Sequence, residues 1–121
     1  MERNATSYRN LIVWEKSMKL AESVYVYTNT FPESEKYGLV SQMRRCAVSI
    51  PSNIAEGSLR STEKDFKNFL RIAFGSGAEL ETQLELATRL NFGDESVRKN
   101  VNTHLSEVMK MLNTLTRKTN S

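Results

Sequence analysis

Apolar residues recur along this chain at alternating spacings of three and four, which is the period of an amphipathic α-helix. Only two prolines and five glycines occur, and they fall at a few places between long uninterrupted stretches. The pattern predicts no strand and four helices, at about residues 11–30, 35–56, 62–91 and 94–117. Because short connections force consecutive helices to run in opposite directions, we expect an all-α, antiparallel up-and-down four-helix bundle.

The first predicted helix carries two neighbouring rows of mostly apolar residues, which together indicate a broad buried face. One row comprises Leu11, Trp14, Met18, Ala21, Tyr25 and Thr28, and the other comprises Leu20, Val24, Tyr27 and Phe31. Pro32 is expected to end the helix, because proline disfavours the α conformation in the residue before it.

The second predicted helix contains Pro51, whose ring removes one amide donor and clashes with the carbonyl oxygen four residues earlier. We therefore expect a kink at Pro51, with Ser49, Ser52 or Asn53 bonding to the freed backbone groups. Gly57 is expected to end this helix in the left-handed conformation, which glycine adopts without a steric penalty.

The third predicted helix begins after Ser61 and Thr62, whose hydroxyls can accept hydrogen bonds from the free amides of the first turn. Its middle contains a Gly-Ser-Gly segment at residues 75–77, although each glycine lowers helix stability by about 1 kcal/mol relative to alanine. We expect these small residues to allow the close approach of a neighbouring helix or of a bulky side chain such as Trp14 or Phe74.

The composition is that of a small globular protein. Its 121 residues, of which 39% are hydrophobic, fit one helical domain covering residues 1–121, with no need for disulfides or metals. The single cysteine cannot form an intramolecular disulfide, and there is neither an N-terminal apolar segment nor a run of about eighteen apolar residues. These features predict a cytoplasmic protein without a membrane role.

Candidate catalytic and metal-binding groups are few. With one histidine, His104, and one cysteine, Cys46, the sequence lacks the ligand set of a zinc site and the paired nucleophile and base of a hydrolase. Glu79, Glu81 and Glu85 cluster, but no glutamate is followed by a histidine three residues later, as in ferritin-type metal centres. We therefore predict no enzymatic activity, no cofactor and no metal, and we expect Cys46 to pack inertly beside the core.

The cations are unevenly placed, although the total charge is only +3. Four of them, spaced four, three and four residues apart, form what we call the basic stripe: Arg60, Lys64, Lys67 and Arg71. Such a row presents several positive side chains to a polyanion at once. Arg44 and Arg45 add a second basic pair on the preceding helix. The alternative interpretation is an ordinary solvated face, or cations that pair with carboxylates across a subunit boundary.

Several short strings resemble a known family. They are Val-Trp-Glu-Lys at residues 13–16, Phe-Pro-Glu at 31–33, Tyr-Gly-Leu at 37–39, Gln-Met-Arg-Arg at 42–45, Ser-Ile-Pro-Ser-Asn-Ile-Ala-Glu-Gly at 49–57 and Gly-Ser-Gly-Ala-Glu-Leu-Glu-Thr at 75–82. Together they resemble the bacterial four-helix bundle family labelled S23 ribosomal protein or 23S rRNA intervening-sequence protein. The resemblance extends from Tyr8 to about Leu115.

That resemblance implies an assembly and a class of partner. Members of the family are similar to the accessory protein of diversity-generating retroelements, a basic pentameric barrel of four-helix protomers that binds nucleic acid and a reverse transcriptase. A homopentamer is therefore expected here. The resemblance also implies that five polar residues occupy positions of the family pattern, namely Arg44, Arg45, Asn53, Glu56 and Glu79.

Two hypotheses follow. The first is a non-enzymatic, oligomeric accessory protein that binds nucleic acid, with RNA favoured over DNA, through phosphate contacts from Arg44, Arg45 and the basic stripe. The alternative is a protein–protein interaction scaffold with no nucleic-acid role. In either case Asn53, Glu56 and Glu79 are expected to serve in the structure or at an interface between subunits.

Overall fold

The computed structural model describes residues 7–117, and within that range the chain forms four α-helices and no strand. The helices are α1 (Ile12–Thr28), α2 (Leu39–Ser58), α3 (Glu63–Arg89) and α4 (Glu95–Arg117). Two short 3-10 helices, Ser7–Asn10 and Glu33–Glu35, precede α1 and α2. The all-helical prediction is confirmed. In this part of the chain, no helix combines the length and the hydropathy that crossing a membrane requires.

Each helix packs against two others, so that α1 and α3 each contact both α2 and α4. The core between them receives side chains from all four helices. Its largest fully buried members include Leu20, Tyr27, Met43, Ile50, Ile54, Leu70, Leu80, Leu105 and Leu112. Because full burial of a large apolar side chain contributes about 1.5–3 kcal/mol, this shared core accounts for the association of the helices.

The buried face of α1 differs from the predicted one at Tyr25. This side chain, placed in the first buried row by its spacing, is 43% exposed. Val13 and Ser17 are buried instead. The Ser17 hydroxyl donates a hydrogen bond of 2.8 Å to the carbonyl oxygen of Trp14, so its burial leaves no unpaired donor. A buried serine is invisible to an analysis of apolar spacing, which explains the error.

Helix α2 begins at Leu39, four residues later than predicted, because residues 33–35 form the 3-10 helix. It continues through Pro51 to Ser58. The Asn53 amide donates a hydrogen bond of 2.8 Å to the carbonyl oxygen of Ser49. This acceptor is not the Ala47 carbonyl oxygen, which loses its donor to Pro51, so the bond does not confirm the predicted role of Asn53.

The prediction for Gly57 was wrong. Gly57 lies inside α2, and the glycine with a positive φ is Gly93, in the connection between α3 and α4. A Cβ atom at Gly57 would lie 2.6 Å from the Cβ of Phe69 and 3.3 Å from the carbonyl oxygen of Phe66. Glycine is required here because α2 and α3 approach each other closely.

The two glycines of the Gly-Ser-Gly segment differ in their surroundings. A Cβ atom at Gly77 would collide with the sulfur of Met109 on α4, so the close approach predicted from small residues is present, although the neighbour is Met109. Around Gly75, in contrast, nothing in residues 7–117 lies within 4 Å of the Cβ position. Gly77 therefore has a packing role, whereas Gly75 faces open space.

The connection between α3 and α4 is bonded to the end of α1. The Tyr27 hydroxyl donates to the carbonyl oxygen of Phe92 at 2.9 Å, and the Asp94 amide donates to the Thr30 hydroxyl oxygen at 2.9 Å. The Asp94 carboxylate accepts from the Ser96 hydroxyl and from amides of the first turn of α4, and these bonds lower the pKa of Asp94. These bonds fix where α4 starts relative to α1.

Candidate nucleic-acid interface

The basic stripe lies on the connection between α2 and α3 and on the first half of α3. Lys64, Lys67 and Arg71 share one side of α3, because residues three and four apart are neighbours on a helix surface. Lys64 and Arg71 are exposed, whereas Lys67 is half-buried. Arg60 precedes α3 and is exposed in the connection. The structure therefore places three of the four cations on one helix side and the fourth just before it.

Three cations of the stripe, Arg60, Lys64 and Arg71, have only weak competitors for an anionic ligand among the described residues. Arg60 pairs with Glu56 four residues earlier, and its guanidinium lies 4.9 Å from the ring centroid of Phe69. Since both partners are about half exposed, such a pair contributes about 0.3–0.5 kcal/mol. Arg71 donates a 3.2 Å hydrogen bond to the Asn68 side chain. No carboxylate in residues 7–117 forms an ion pair with Lys64 or Arg71.

The start of α3 carries negative charge close to the stripe. The Thr62 hydroxyl oxygen accepts a 3.1 Å hydrogen bond from the Asp65 amide, as the N-cap prediction required. Glu63 and Asp65 occupy the first turn, where carboxylates interact favourably with the helix dipole. They stabilise the helix end and also reduce the positive potential around Lys64.

Arg44 and Arg45 have different environments. Arg44 is half-buried between α1 and α2, where it donates hydrogen bonds of 2.9 Å to the Thr28 hydroxyl oxygen and to the Asn29 side-chain oxygen. Its guanidinium also lies 4.5 Å from the ring centroid of Tyr25. Arg45, the next residue, is exposed. Arg44 thus ties α2 to the end of α1, and Arg45 extends into solvent.

Two of the family-pattern positions lie where α2 meets α3. Asn53 donates to the Ser49 hydroxyl oxygen at 3.0 Å, and that hydroxyl lies 2.8 Å from the Ser76 hydroxyl of α3. Glu79, exposed on α3, lies close enough to Cys46 on α2 for its carboxylate to raise the pKa of the thiol. Asn53 thus has a structural role between the two helices, and Glu79 lies beside the same contact. Neither the contact between the two serines nor the proximity of Glu79 to the thiol was visible in the sequence.

Cys46 is buried, and this burial, together with the nearby Glu79 carboxylate, raises the pKa of the thiol to about 11. A raised thiol pKa keeps the sulfur protonated, and only the thiolate reacts with alkylating agents. We expect iodoacetamide at pH 8 to modify the native protein about 100-fold more slowly than the urea-unfolded protein. Mass spectrometry of timed samples measures both rates, and equal rates would contradict the assignment.

Metal-ligating side chains are not brought together. Within residues 7–117, no group of three or more histidine, cysteine, aspartate or glutamate side chains has the geometry to hold a metal ion. His104 is half-buried on α4. The candidate site is consequently defined by cations and by hydrogen-bonding groups.

An open groove along the first half of α2 was missed by sequence reasoning. Its lining includes Tyr25, Lys36, Tyr37, Val40, Ser41, Arg44, Arg45 and Val48. Tyr25 was expected in the core, and Tyr37 lies in the segment that was predicted to be helical. The signal available in the sequence was the placement of Tyr37 beside a lysine, in a polar stretch between two helices.

Fold and site together define a four-helix bundle with cations on an exposed helix face. The chain belongs to the 23S rRNA-intervening sequence protein family, whose model matches residues 9–114. This confirms the resemblance seen in the sequence motifs.

A solved structure is similar over most of the chain. It is the crystal structure of a protein of unknown function from the S23 ribosomal protein family of Bacteroides thetaiotaomicron VPI-5482. The TM-score is 0.78 at 26% sequence identity, and the match covers 88% of this chain and 100% of that one. Among curated proteins, none is significantly similar to this chain.

Proposed function

We propose that this protein is a non-enzymatic accessory protein that binds nucleic acid, with RNA favoured over DNA. The observation that carries the proposal is the exposure of Lys64 and Arg71 on one side of α3, with no ion-paired carboxylate in residues 7–117. The family description, which names a 23S rRNA intervening sequence, supports a role connected with RNA. The phosphate contacts are assigned to Arg44, Arg45, Arg60, Lys64, Lys67 and Arg71.

The spacing of the stripe suits a phosphate backbone. Lys64 and Arg71 are seven residues apart on α3, which corresponds to about 10 Å along the helix axis. The rise per base along one strand of a duplex is about 3.4 Å, so this length spans about three base steps. Cations at that spacing can contact phosphates about three positions apart on one strand without reading base identity, and binding is expected to be weakly sequence-selective.

The test is the salt dependence of RNA binding, measured by fluorescence anisotropy between about 50 and 200 mM salt. If about four phosphates are neutralised per protomer, log affinity falls with log salt at a slope of roughly −3 to −4. Replacing all four stripe cations by glutamate is expected to abolish binding. Because Lys67 is half-buried, the milder double variant Lys64→Gln/Arg71→Gln is also measured, and its slope is expected to be shallower by about 1.5.

A matched control removes the same charge elsewhere. Lys19 on α1 and Arg89 at the end of α3 are both exposed, so Lys19→Gln/Arg89→Gln has the same net charge as the double stripe variant. We expect this control to retain most of the affinity. If the variant with all four stripe cations replaced by glutamate binds RNA as tightly as the wild type, the proposal is contradicted.

The second candidate function is a protein–protein interaction scaffold with no nucleic-acid role, favoured by exposed apolar side chains on α3 and just after its end. Ile72, Leu86 and Leu90 are 52%, 47% and 49% exposed, and Ile72 and Leu86 are separated by two seven-residue steps, which keeps them on one side of the helix. We propose that these apolar side chains mediate self-association. The expected assembly is the homopentamer that the family resemblance implies. Light scattering after size-exclusion chromatography tests it, and a stable 13.8 kDa monomer would contradict it.

The finer architecture and the compartment are part of the same proposal. Contacts between α1 and α4 support an antiparallel arrangement of these two helices. Tyr27, near the end of α1, donates a hydrogen bond to Phe92, just before α4 begins, whereas Lys16, near the start of α1, pairs with Glu107 further along α4 at 2.8 Å. A kink at Pro51 is supported by the missing amide of this proline inside α2. The free thiol of Cys46 is in keeping with the cytoplasm.

A further inference from the structure

The groove along the first half of α2 combines exposed aromatic rings with cations. We call it the tyrosine groove and define it by Tyr25, Tyr37, Val48, Lys36, Arg44 and Arg45. Tyr37 is 88% exposed, which leaves its ring accessible to a ligand, and Tyr25 is 43% exposed. Single exposed aromatic residues are common on protein surfaces, so the combination with charge is what distinguishes this groove.

The positive charges lie directly beside the rings. The Arg44 guanidinium is 4.5 Å from the Tyr25 ring centroid, and the Lys36 ammonium is 5.7 Å from the Tyr37 centroid. Arg44 is held in place by hydrogen bonds to α1, so the face of the groove that it forms is preorganised. The lining residues that the structure describes include three cations and no carboxylate, so the lining itself carries a net positive charge.

We propose that the tyrosine groove binds unpaired bases of a single-stranded nucleic acid, which stack on Tyr37 and Tyr25 while their phosphates contact Lys36 and Arg45. Stacking platforms interleaved with cations are the general means of binding single strands, because every base offers a π face. An acidic peptide would satisfy the cations and leave the rings in water, and an apolar ligand would leave the cations unpaired. This inference rests on the proposed function and names the form of nucleic acid that the protein takes.

The groove and the basic stripe use different residues, so they can be tested separately. The groove residues end at Val48, in the first half of α2, whereas Arg60 follows the last residue of α2, about 30 Å from the start of this 20-residue helix. Arg71 lies closer to the middle of α2, because Ser76 of α3, five residues later, contacts Ser49. A substitution in the groove is therefore expected to leave phosphate contacts at the stripe intact.

The experiment compares a single strand of about 12 nucleotides with a duplex of the same length, for the wild type and for Tyr37→Leu. Loss of stacking is expected to weaken single-strand binding at least about fivefold, with duplex binding unchanged. Tyr37→Phe, which keeps the ring, is the matched control and is expected to stay within about twofold of the wild type. Oligouridylate and oligothymidylate serve as separate probes, which distinguishes RNA from DNA as the source of the strand.

The outcomes separate this inference from the proposed function. Because Tyr37 is almost fully exposed, its replacement is expected to leave the fold unchanged, which circular dichroism and a melting curve verify. If the wild type binds both probes and Tyr37→Leu/Tyr25→Leu still binds the single strand equally well, the groove inference is overturned and the stripe proposal stands. If the wild type binds neither strand nor duplex at about 50 mM salt, both proposals fail.

Discussion

Replacing Gly57 by alanine is expected to lower the free energy of unfolding by about 1–3 kcal/mol, although alanine is ordinarily the better helix former. The added Cβ atom would lie 2.6 Å from the Cβ of Phe69 and 3.3 Å from the carbonyl oxygen of Phe66. These atoms belong to the backbone of α3 or adjoin it directly, so no side-chain rotation can relieve the collision. Helices α2 and α3 would have to separate, which would loosen the core around them.

Gly75 provides the matched control, because it is also a glycine inside a helix. Apart from its own chain neighbours and helix backbone, no described residue has an atom within 4 Å of its Cβ position. Gly75→Ala therefore adds helix propensity without a collision. We expect this variant to be more stable than the wild type by about 0.5–1 kcal/mol. Urea denaturation of both variants gives the two changes in free energy. Equal effects at the two positions would show that the close approach at Gly57 has no energetic consequence.

The helices could be predicted from the sequence because their signal is a period of apolar residues, and four helices are present where that period occurs. Which residues of a helix are buried was harder to predict from the sequence. Tyr25 shares the helical spacing of the core and is nevertheless exposed, while Ser17 is buried because its hydroxyl bonds to the preceding turn. Spacing indicates a face of the helix, but packing against α2 and α4 decides which residues at its margin are covered.

The glycines show a similar limit. The sequence pattern predicts a left-handed helix end at Gly57. The contact that requires glycine there is instead with Phe66 and Phe69, which belong to a different helix, α3. Within residues 7–117, the positive φ values occur at Asn91 and Gly93, in the connection between α3 and α4. A sequence shows that a small residue is present, but whether it serves backbone conformation or close packing depends on the neighbour that the fold brings to it.

The candidate site was predicted as a set of cations, and the structure differentiates them. Arg44 and Arg45 are adjacent in sequence, but Arg44 is bonded to α1 and Arg45 is exposed. The tyrosine groove could not be predicted, because it depends on Tyr25 of α1 and Tyr37 of the connection between α1 and α2 lining one groove with residues of α2. A surface formed by three separate segments has no periodic signal in the chain.

Gly93→Ala is expected to destabilise the protein by about 2–4 kcal/mol, because two unfavourable effects coincide. Gly93 has a φ of 80°, in the left-handed region, where a residue with a Cβ atom is disfavoured by about 1–2 kcal/mol. The Cβ would also lie 2.7 Å from Cε1 of Tyr27 and 2.9 Å from Cε1 of Phe31. Tyr27 is fully buried and its hydroxyl is bonded to Phe92, so its ring has no free space into which to move.

A variant at Asn91, two residues earlier, separates the backbone strain from the steric collision. Asn91 also has a positive φ, of 58°, but it is exposed and already has a Cβ atom. Asn91→Ala is therefore expected to cost at most about 1 kcal/mol, since alanine is less tolerant of this conformation than asparagine. Thermal unfolding should show a decrease in Tm of about 10–20 °C for Gly93→Ala and only a few degrees for Asn91→Ala. Similar decreases would mean that the collision with Tyr27 and Phe31 contributes nothing and that backbone strain alone sets the requirement for glycine.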